Sequence, residues 1–458
     1  MADHQNKIEK ILLINPPRFN GHCVVREMRC ASLATVTVSP PVELAYLAGL
    51  LRKYAEVKIL DANGLNQDFK DIEKEIERFR PQAVIFTVSP TTFRADAQVA
   101  QISKKIDKDI KTILLDSHIA PALPNEIKQS FPEIDYLVGG EPLMNIPNLL
   151  GFPGVSDLEK HPLPAYDLLP ISRYSSLSFT RKKPYGALIT STGCPNYCNF
   201  CVIGGATVER GYGHRWRFKT PRKIVEEIKY LLSLGIKSIY FFDETFTVSR
   251  DRVRELCEMI IDEGLKFEWS CNGRVDTLDG ETIKIMKKAG CWNIMFGIEC
   301  GSEGLLEEAN KGTTLARAME TVGHCKKNGI MISASFMIGL PEESMETAKQ
   351  TLAAAIKINP YRAQFVIVTP YPGTKLHEEL KAKGLLEKDY SFSGYDAYCI
   401  NNSPVIRTEK MTSQELAQVQ KYIYRKFYLR PSFVISTLLG IRSFSQLWDI
   451  LKFIRYLK

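Results

Sequence analysis

The first 150 residues alternate short apolar runs with longer segments whose apolar positions recur every three or four residues. The runs are typical of buried parallel strands, and the longer segments are typical of amphipathic helices. Strands are predicted at 10–15, 57–61, 83–88, 112–116 and 136–138, with helices at 42–54, 68–80, 94–106 and 125–131. This alternation predicts an α/β fold that begins with a Rossmann-like, doubly wound domain over residues 1–150.

The same alternation resumes after a stretch rich in proline. Residues 151–185 contain five prolines and no sustained periodicity, which predicts an ordered but irregular linker. Six further strands are predicted near 187–192, 237–242, 267–271, 293–298, 331–337 and 363–368. Six strand-and-helix units suit a partial (β/α)6 barrel of the TIM type over residues 186–385.

Residues 386–458 are predicted to form a basic helical extension, in which Thr412 caps the first helix. From residue 421 onward, eight Lys and Arg residues stand against one Asp, which places +7 of the net charge of +8 in this tail. The remaining chain is close to neutral, which argues against a nucleic-acid partner. The tail has two interpretations: helices that dock on the barrel, or basic aromatic helices that contact an anionic membrane surface.

Length and cysteine usage limit the class of protein. The 458 residues with 45% hydrophobic content allow two large domains. The eleven cysteines lack the spacing of a secreted disulfide framework, which favours reduced thiols. The polar N-terminus lacks a signal-peptide layout, and no apolar run approaches the ~20 residues that span a bilayer. A cytoplasmic protein is expected, with peripheral membrane contact as an alternative.

Cys194, Cys198 and Cys201 give the spacing CxxxCxxC in the loop after the first predicted barrel strand. Three thiolates can bind three irons of a 4Fe-4S cluster and leave the fourth iron open to an outside ligand. A structural zinc site is a competing interpretation, but it needs a fourth ligand, and neither His214 nor Cys257 lies at a suitable offset. Inert buried thiols are a third interpretation, although a polar loop is a poor place to bury three sulfurs. The spacing favours the cluster.

With Phe200 before the last cysteine, this run resembles the cluster motif of radical S-adenosylmethionine enzymes. The chain as a whole resembles the group of these enzymes that carries an N-terminal cobalamin-binding domain. The resemblance implies that the methionine amino and carboxylate groups of S-adenosylmethionine chelate the open iron. It also implies that electron transfer from an external donor, such as a flavodoxin or ferredoxin, releases a 5'-deoxyadenosyl radical.

The resemblance further implies cofactor-binding residues at the carboxyl ends of the barrel strands, where a parallel barrel collects functional groups. Asp243 and Glu244 resemble the DExF sequence that receives the methionine ammonium, although Asp243 also fits a helix N-cap. Asn272 and Arg274 resemble polar residues aimed at cofactor or substrate, and the arginine could neutralise the methionine carboxylate.

Two later strands add to this set. Glu299 resembles the residue that binds the ribose hydroxyls, a role that suits a two-oxygen acceptor. Ser335 lies on a strand that ends in the Gly-Leu-Pro run at 339–341, which in the family lies beside the adenine. The segment 370–374 matches the Pro-Tyr-Pro-Gly-Thr signature of the cobalamin-associated group. No catalytic residue is predicted.

The first domain matches the cobalamin-binding pattern only in part. Family members that bind cobalt through histidine place a DxHxxG motif after the first strand, whereas residues 16–20 contain no histidine. The segment Asp116-Ser117-His118 imitates the motif after a later strand but lacks the glycine, so His118 is interpreted as a loop residue. Cobalamin is the favoured ligand, and a vestigial Rossmann-like domain is the alternative.

These features lead to a cobalamin-dependent radical enzyme that methylates an unactivated carbon of a small molecule, such as a hydrophobic lipid or a tetrapyrrole. Within enzymes, the alternative is a radical cyclase or rearrangement catalyst similar to the porphyrin-ring-forming relatives. From another class, the alternatives are a noncatalytic iron-sulfur electron carrier or a cobalamin-binding regulatory module.

Overall fold

The structure is a computed structural model of the chain, and it describes residues 8–27, 33–34, 37–116, 122–176, 180–203, 216–387 and 404–439. His118, His214, Cys399 and the tail beyond residue 439 lie outside these ranges. No helix in the described part of the chain is long and apolar enough to span a bilayer.

The first sheet has five parallel strands. They are β1 (Lys10–Asn15), β2 (Glu56–Asp61), β3 (Ala83–Thr87), β4 (Lys111–Leu115) and β5 (Tyr136–Val138). Their spatial order is β2-β1-β3-β4-β5, so the direction of strand addition reverses between β1 and β3. The predicted doubly wound fold is confirmed, and in such sheets ligands bind beyond the carboxyl ends at this switch point.

Helices cover both faces of this sheet. They span Val42–Leu51, Ala62–Leu65, Phe69–Phe79, Phe93–Asp96, Gln98–Ile106, Pro124–Ser130 and Pro142–Leu149. The first helix is shorter than predicted, and the predicted helix at 94–106 is two helices that meet at Ala97. Helix Val42–Leu51 is buried except at Glu43, because its apolar residues belong to a core that also includes the barrel.

The second sheet is the predicted partial barrel. Its strands are β6 (Tyr185–Leu188), β7 (Ser238–Phe241), β8 (Glu268–Gly273), β9 (Cys291–Glu299), β10 (Met331–Ile338) and β11 (Arg362–Ile367). All neighbours are parallel and follow chain order. Within the described ranges β6 does not pair with β11, so the sheet stays open.

Helices surround the outer face of this barrel. They span Pro221–Ser233, Arg250–Asp262, Gly280–Lys288, Glu303–Glu308, Leu315–Lys327, Met345–Ile358 and Lys375–Ala382. Several begin at a Ser, Thr or Asp whose side chain accepts a backbone N–H bond from the first turn, as helix N-termini require. The described part of the chain that connects the two sheets contains three short 3-10 helices, at Leu158–Lys160, Tyr166–Leu168 and Ile171–Arg173.

A buried polar triad crosses the boundary between the two units. The Lys219 ammonium pairs with the Glu227 carboxylate at 2.7 Å, and both side chains are fully buried. Tyr46, on the helix Val42–Leu51, donates its hydroxyl to Glu227 at 2.7 Å and accepts a bond from Lys219 at 3.0 Å. Burial raises the pKa of Glu227 and lowers the pKa of Lys219, and the pairing offsets both effects. The triad therefore ties the first unit to the barrel.

In the described residues after the barrel, two helices occur, at Ser413–Tyr428 and Pro431–Leu439. The first begins at Thr412, which forms the expected capping box with Glu415. It docks on the free edge of β11, where its Gln420, Tyr424 and Tyr428 side chains bond to the strand backbone.

Candidate functional site

The three motif cysteines lie in the loop that follows β6, at the carboxyl edge of the barrel. Cys194 and Cys198 are buried, and Cys201 is partly exposed. The residues between them are held by the last residue of helix Glu303–Glu308 and by the turn that follows this helix. The Asn199 amide donates to the Glu308 carbonyl at 2.7 Å. The Asn310 amide donates to the Tyr197 carbonyl at 2.7 Å. The loop is thus fixed at two points.

Asp243, directly after β7, holds the chain that leads into this loop. Its Oδ1 accepts bonds from the Thr190 and Ser191 N–H groups at 2.6 and 3.1 Å. Its Oδ2 accepts bonds from the hydroxyls of the same two residues at 2.5 and 2.7 Å. Asp243 is fully buried, and four donors surround its carboxylate. Asp243 therefore affects a ligand at the cysteines indirectly, by fixing the position of Thr190 and Ser191.

Asn272 and Glu244 occupy different positions. The Asn272 amide donates to the Asp243 carbonyl at 2.9 Å and accepts a bond from the Tyr240 hydroxyl at 2.8 Å. Asn272 therefore joins the ends of β7 and β8. Glu244 is partly exposed at the same edge. Ser335 is also partly exposed, on β10 at the level of Gly297 of β9.

Arg274, which follows β8, reaches the cysteine loop. Its guanidinium binds the Asp276 carboxylate at 2.8 and 3.0 Å and donates to the Lys311 carbonyl at 2.7 Å. The remaining nitrogen, Nη1, lies 3.9 Å from Cys198 Sγ. Arg274 thus places positive charge beside a sulfur of the motif.

Glu299 ends β9 in the left-handed backbone region, with φ +72°, beside an irregularity in the pairing of β9 with β10. Its Oε1 lies 2.6 Å from the Lys311 ammonium, and both side chains are less than a tenth exposed. Gly297 provides the space for this ion pair. A Cβ at Gly297 would lie 2.3 Å from Glu299 Oε1 and 3.0 Å from Lys311 Nζ.

Lys311 is a functional residue that the sequence did not predict. It lies in a turn after a six-residue helix, between Asn310 and Gly312, which both have positive φ. The only sequence signal is an Asn-Lys-Gly run twelve residues after Glu299, and nothing in the apolar pattern marks it as buried. The structure shows that it lies between Glu299 and Arg274.

The electrostatics of the site bear on which ligand the cysteines could hold. Burial raises the pKa of the Cys198 thiol, while the charges of Lys311 and Arg274 lower it. In the described part of the chain, no three His, Cys, Asp or Glu side chains converge on one metal position. The donor set, three cysteines beside the cations Arg274 and Lys311, fits a 4Fe-4S cluster, in which each thiolate binds a different iron.

A second polar group lies at the carboxyl ends of β1, β2 and β3, around the switch point of the first sheet. The buried Arg26 guanidinium forms two bonds with Asp96, at 2.7 and 2.9 Å. Asp61 accepts bonds from the Asn15 amide and the Tyr174 hydroxyl, each at 2.8 Å. Burial raises the pKa of Asp61 despite these donors. The walls of this edge are thus preorganised, as a large bound cofactor requires.

An ion pair connects the two carboxyl edges. Glu141 follows β5, and its carboxylate lies 2.9 Å from the Arg217 guanidinium. Arg217 belongs to a two-residue strand that pairs with Ser191–Thr192, directly before the cysteine loop. The edge of the first sheet and the cysteine loop therefore lie on the same side of the molecule.

Two protein-family models match the chain, one over each of these regions. The model of the radical SAM superfamily matches residues 188–355, and that of the B12 binding domain matches residues 29–142. The chain is 32% identical over 457 residues to a protein of Pyrococcus horikoshii named as an uncharacterized methyltransferase, and the match covers 94% of each chain.

More distant similarities extend over most of the chain. The anaerobic magnesium-protoporphyrin IX monomethyl ester cyclase of Rubrivivax gelatinosus is 26% identical over 434 residues, with 86% of this chain and 75% of the cyclase covered. The solved structure of TsrM, a radical S-adenosylmethionine methyltransferase from Kitasatospora setae with cobalamin and a [4Fe-4S] cluster bound, superposes with a TM-score of 0.69 at 16% identity. That match covers 98% of this chain and 99% of TsrM.

Proposed function

Because the chain belongs to the radical S-adenosylmethionine superfamily, in the group with a B12-binding domain, we propose that it methylates an unactivated carbon of a small molecule. Its cofactors are a 4Fe-4S cluster, S-adenosylmethionine and cobalamin. When bound, they supply the one-electron radical chemistry and the methyl group, while the protein binds, orients and isolates the reactants.

Cys194, Cys198 and Cys201 would hold the cluster. Asp243 would fix the approach to their loop through Thr190 and Ser191, without touching the cluster. The charge of Arg274 would favour the thiolate form that a cluster requires.

S-adenosylmethionine would lie along the carboxyl ends of β7 to β10. Glu244 would receive its ammonium, and Glu299 would accept bonds from its ribose hydroxyls. Arg274 and Ser335 would contribute from β8 and β10. Asn272, whose amide bonds to Tyr240 of β7 and to the Asp243 carbonyl just beyond that strand, would act by holding the carboxyl ends of β7 and β8 together.

Cobalamin would bind at the switch point of the first sheet, beside the buried polar side chains of Arg26 and Asp61 at its carboxyl edge. Residues 16–20 contain no histidine, so this loop would not supply a cobalt ligand.

The observation that carries the proposal is the ion pair between Glu141 and Arg217, which brings the two carboxyl edges together. Methyl transfer needs both cofactors to reach one substrate. A noncatalytic electron carrier needs no second ligand edge, and a cobalamin-binding module needs no ordered set of strand-end residues on the barrel. This assignment gives each cofactor its own domain: cobalamin the domain at 1–150, and the cluster with S-adenosylmethionine the domain at 186–385. A linker at 151–185 joins the two domains, and an extension at 386–458 follows them.

The test is anaerobic incubation of cluster-loaded, cobalamin-supplied protein with S-adenosylmethionine and a strong reductant. 5'-Deoxyadenosine and S-adenosylhomocysteine are quantified together. Both products support methyl transfer, and 5'-deoxyadenosine alone supports a cyclase or rearrangement, the candidate that the Rubrivivax relative's name favours. Neither product from cluster-loaded protein refutes both. Cys198→Ala should abolish both products, whereas Cys325→Ala, a buried cysteine on helix Leu315–Lys327, should not.

The proposal extends to partners. The substrate would be hydrophobic, a lipid or a tetrapyrrole, and a flavodoxin or ferredoxin would supply electrons in the cytoplasm. Peripheral membrane contact is favoured by three exposed apolar side chains within the basic tail, Leu429, Val434 and Ile435. Cosedimentation with anionic vesicles, but not with neutral ones, is expected. Equal recovery with both would contradict a charge-driven contact.

A further inference from the structure

We propose that Lys311 is a positioning residue for S-adenosylmethionine, which couples the ribose-binding carboxylate of Glu299 to the cysteine loop through Arg274. The inference rests on the proposed function, because it assumes that Glu299 faces the cofactor. It assigns a role to a side chain that has no motif of its own.

The ion pair between Lys311 and Glu299 is the first observation behind this inference. Glu299 is buried, and burying a charged group costs free energy unless the group is paired. The Lys311 ammonium, 2.6 Å from Oε1, compensates that charge. Because this contact uses Oε1, the other oxygen remains an acceptor for a hydroxyl. Lys311 therefore orients the Glu299 carboxylate and offsets the cost of burying its charge.

The backbone of Lys311 makes a second contact, on the side of the cysteine loop. The Lys311 carbonyl accepts a bond from Arg274 at 2.7 Å, and the same guanidinium lies 3.9 Å from Cys198 Sγ. The Lys311 ammonium thus contacts Glu299, while its carbonyl contacts the arginine that lies beside Cys198.

Hydrogen bonds also fix the turn that carries Lys311. Its N–H donates to the Leu306 carbonyl at 3.0 Å, and its neighbour Asn310 donates to the Tyr197 carbonyl in the cysteine loop at 2.7 Å. A shift of the cysteine loop would therefore move Lys311, and with it Glu299. Gly297, which leaves space for the pair, is consistent with a site built around this contact.

The test uses Lys311→Met, which keeps the aliphatic stem and the carbonyl but removes the charge, and Lys311→Arg, which restores a charge. Lys229→Met, which breaks an exposed ion pair with Glu263, is the matched control. Each cluster-loaded variant is assayed for iron content, for S-adenosylmethionine affinity by equilibrium dialysis, and for the change that the ligand causes in the electron paramagnetic resonance spectrum of the reduced cluster.

Lys311→Met should retain iron, weaken cofactor affinity by about tenfold and diminish the spectral change, as expected for loss of a charge-assisted contact. Lys311→Arg should recover most of the affinity, and Lys229→Met should match the wild type. Wild-type affinity in Lys311→Met, or no recovery in Lys311→Arg, would overturn the inference.

If Lys311→Met does not load iron, the double variant Lys311→Met/Glu299→Gln removes both buried charges. Its affinity should equal that of Glu299→Gln alone, because Lys311 acts through Glu299. A further loss in the double variant would overturn the inference. Failure of the wild type to bind S-adenosylmethionine would instead refute the proposed function.

Discussion

Tyr428 and Ala363 exchange two hydrogen bonds at the open edge of the barrel. The Ala363 N–H donates to the Tyr428 oxygen at 3.1 Å, and the Tyr428 hydroxyl donates to the Ala363 carbonyl at 2.6 Å. One turn earlier on the helix, the Tyr424 oxygen accepts a bond from the Phe365 N–H, and two turns earlier the Gln420 amide donates to the Phe365 carbonyl. Helix side chains thus occupy the positions that a seventh strand would take, which blocks pairing with another chain.

Tyr428→Phe should lower the free energy of unfolding by about 1–3 kcal/mol, because the Ala363 backbone loses both partners in a partly buried place. Tyr422→Phe, on the exposed face of the same helix, is the control and should change it by less than about 0.5 kcal/mol. Urea denaturation measures both. Equal effects of the two variants would show that the edge bonds contribute no specific stability.

Lys219→Met should destabilise the protein by about 3–5 kcal/mol, because it leaves the Glu227 carboxylate buried without its cation. Lys223→Met is the control, because it breaks a more exposed ion pair with Glu226, on the helix that also carries Glu227. It should lower the free energy of unfolding by about 0–1 kcal/mol. Pairing Lys219→Met with Glu227→Leu should recover much of the loss. The prediction fails if the double variant is as unstable as the sum of the single ones.

Gly297→Ala should weaken S-adenosylmethionine binding by about tenfold while iron content stays unchanged, because its Cβ would displace the Glu299 carboxylate. Gly323→Ala is the matched control, since a Cβ there meets no described atom within 4 Å on helix Leu315–Lys327. It should raise stability by about 0.5–1 kcal/mol. Unaltered cofactor affinity in Gly297→Ala would argue against the role of the Glu299 and Lys311 pair.

Glu343 should make stability depend on pH. Burial raises the pKa of its carboxyl to about 7, and nearby Glu308 adds to the rise. The folded state therefore keeps a proton that the unfolded state releases above about pH 4.5. The stabilisation is complete below that pH and is lost as the pH rises to about 7.

Glu343→Gln should remove this dependence while its amide oxygen still accepts the bond from the Gly339 N–H. Relative to this variant, the wild type should lose on the order of 3 kcal/mol between about pH 5 and about pH 8. Urea midpoints across that range measure the difference. A difference between the two proteins that stays constant with pH would contradict the assignment.

The sequence predicted the strands and the cysteine loop well, because apolar runs and motif spacing are local signals. It did not predict what Asp243 binds, since the four donors come from Thr190 and Ser191, some fifty residues earlier in the chain. Lys311 was missed for a related reason. Its burial depends on Gly297 and on the turn at Asn310, and neither leaves a periodic pattern.

Helical spacing around residue 420 correctly predicted a helix, but not its role at the sheet edge. Gln420, Tyr424 and Tyr428 are polar residues four apart, which in a sequence resembles an ordinary solvated face. Only the position of β11 shows that their partners are backbone groups.

The triad of Lys219, Glu227 and Tyr46 has a consequence for substrate selection. Lys219 and Glu227 both belong to the barrel, so moving the two units apart would take the Tyr46 hydroxyl away from their buried ion pair and remove a hydrogen bond from each charged group. This contact helps to hold the carboxyl edges of the two sheets at one spacing. If the cofactors bind at these edges as proposed, the space between them limits the size of the molecules that can reach both, independently of the chemistry of the carbon that reacts.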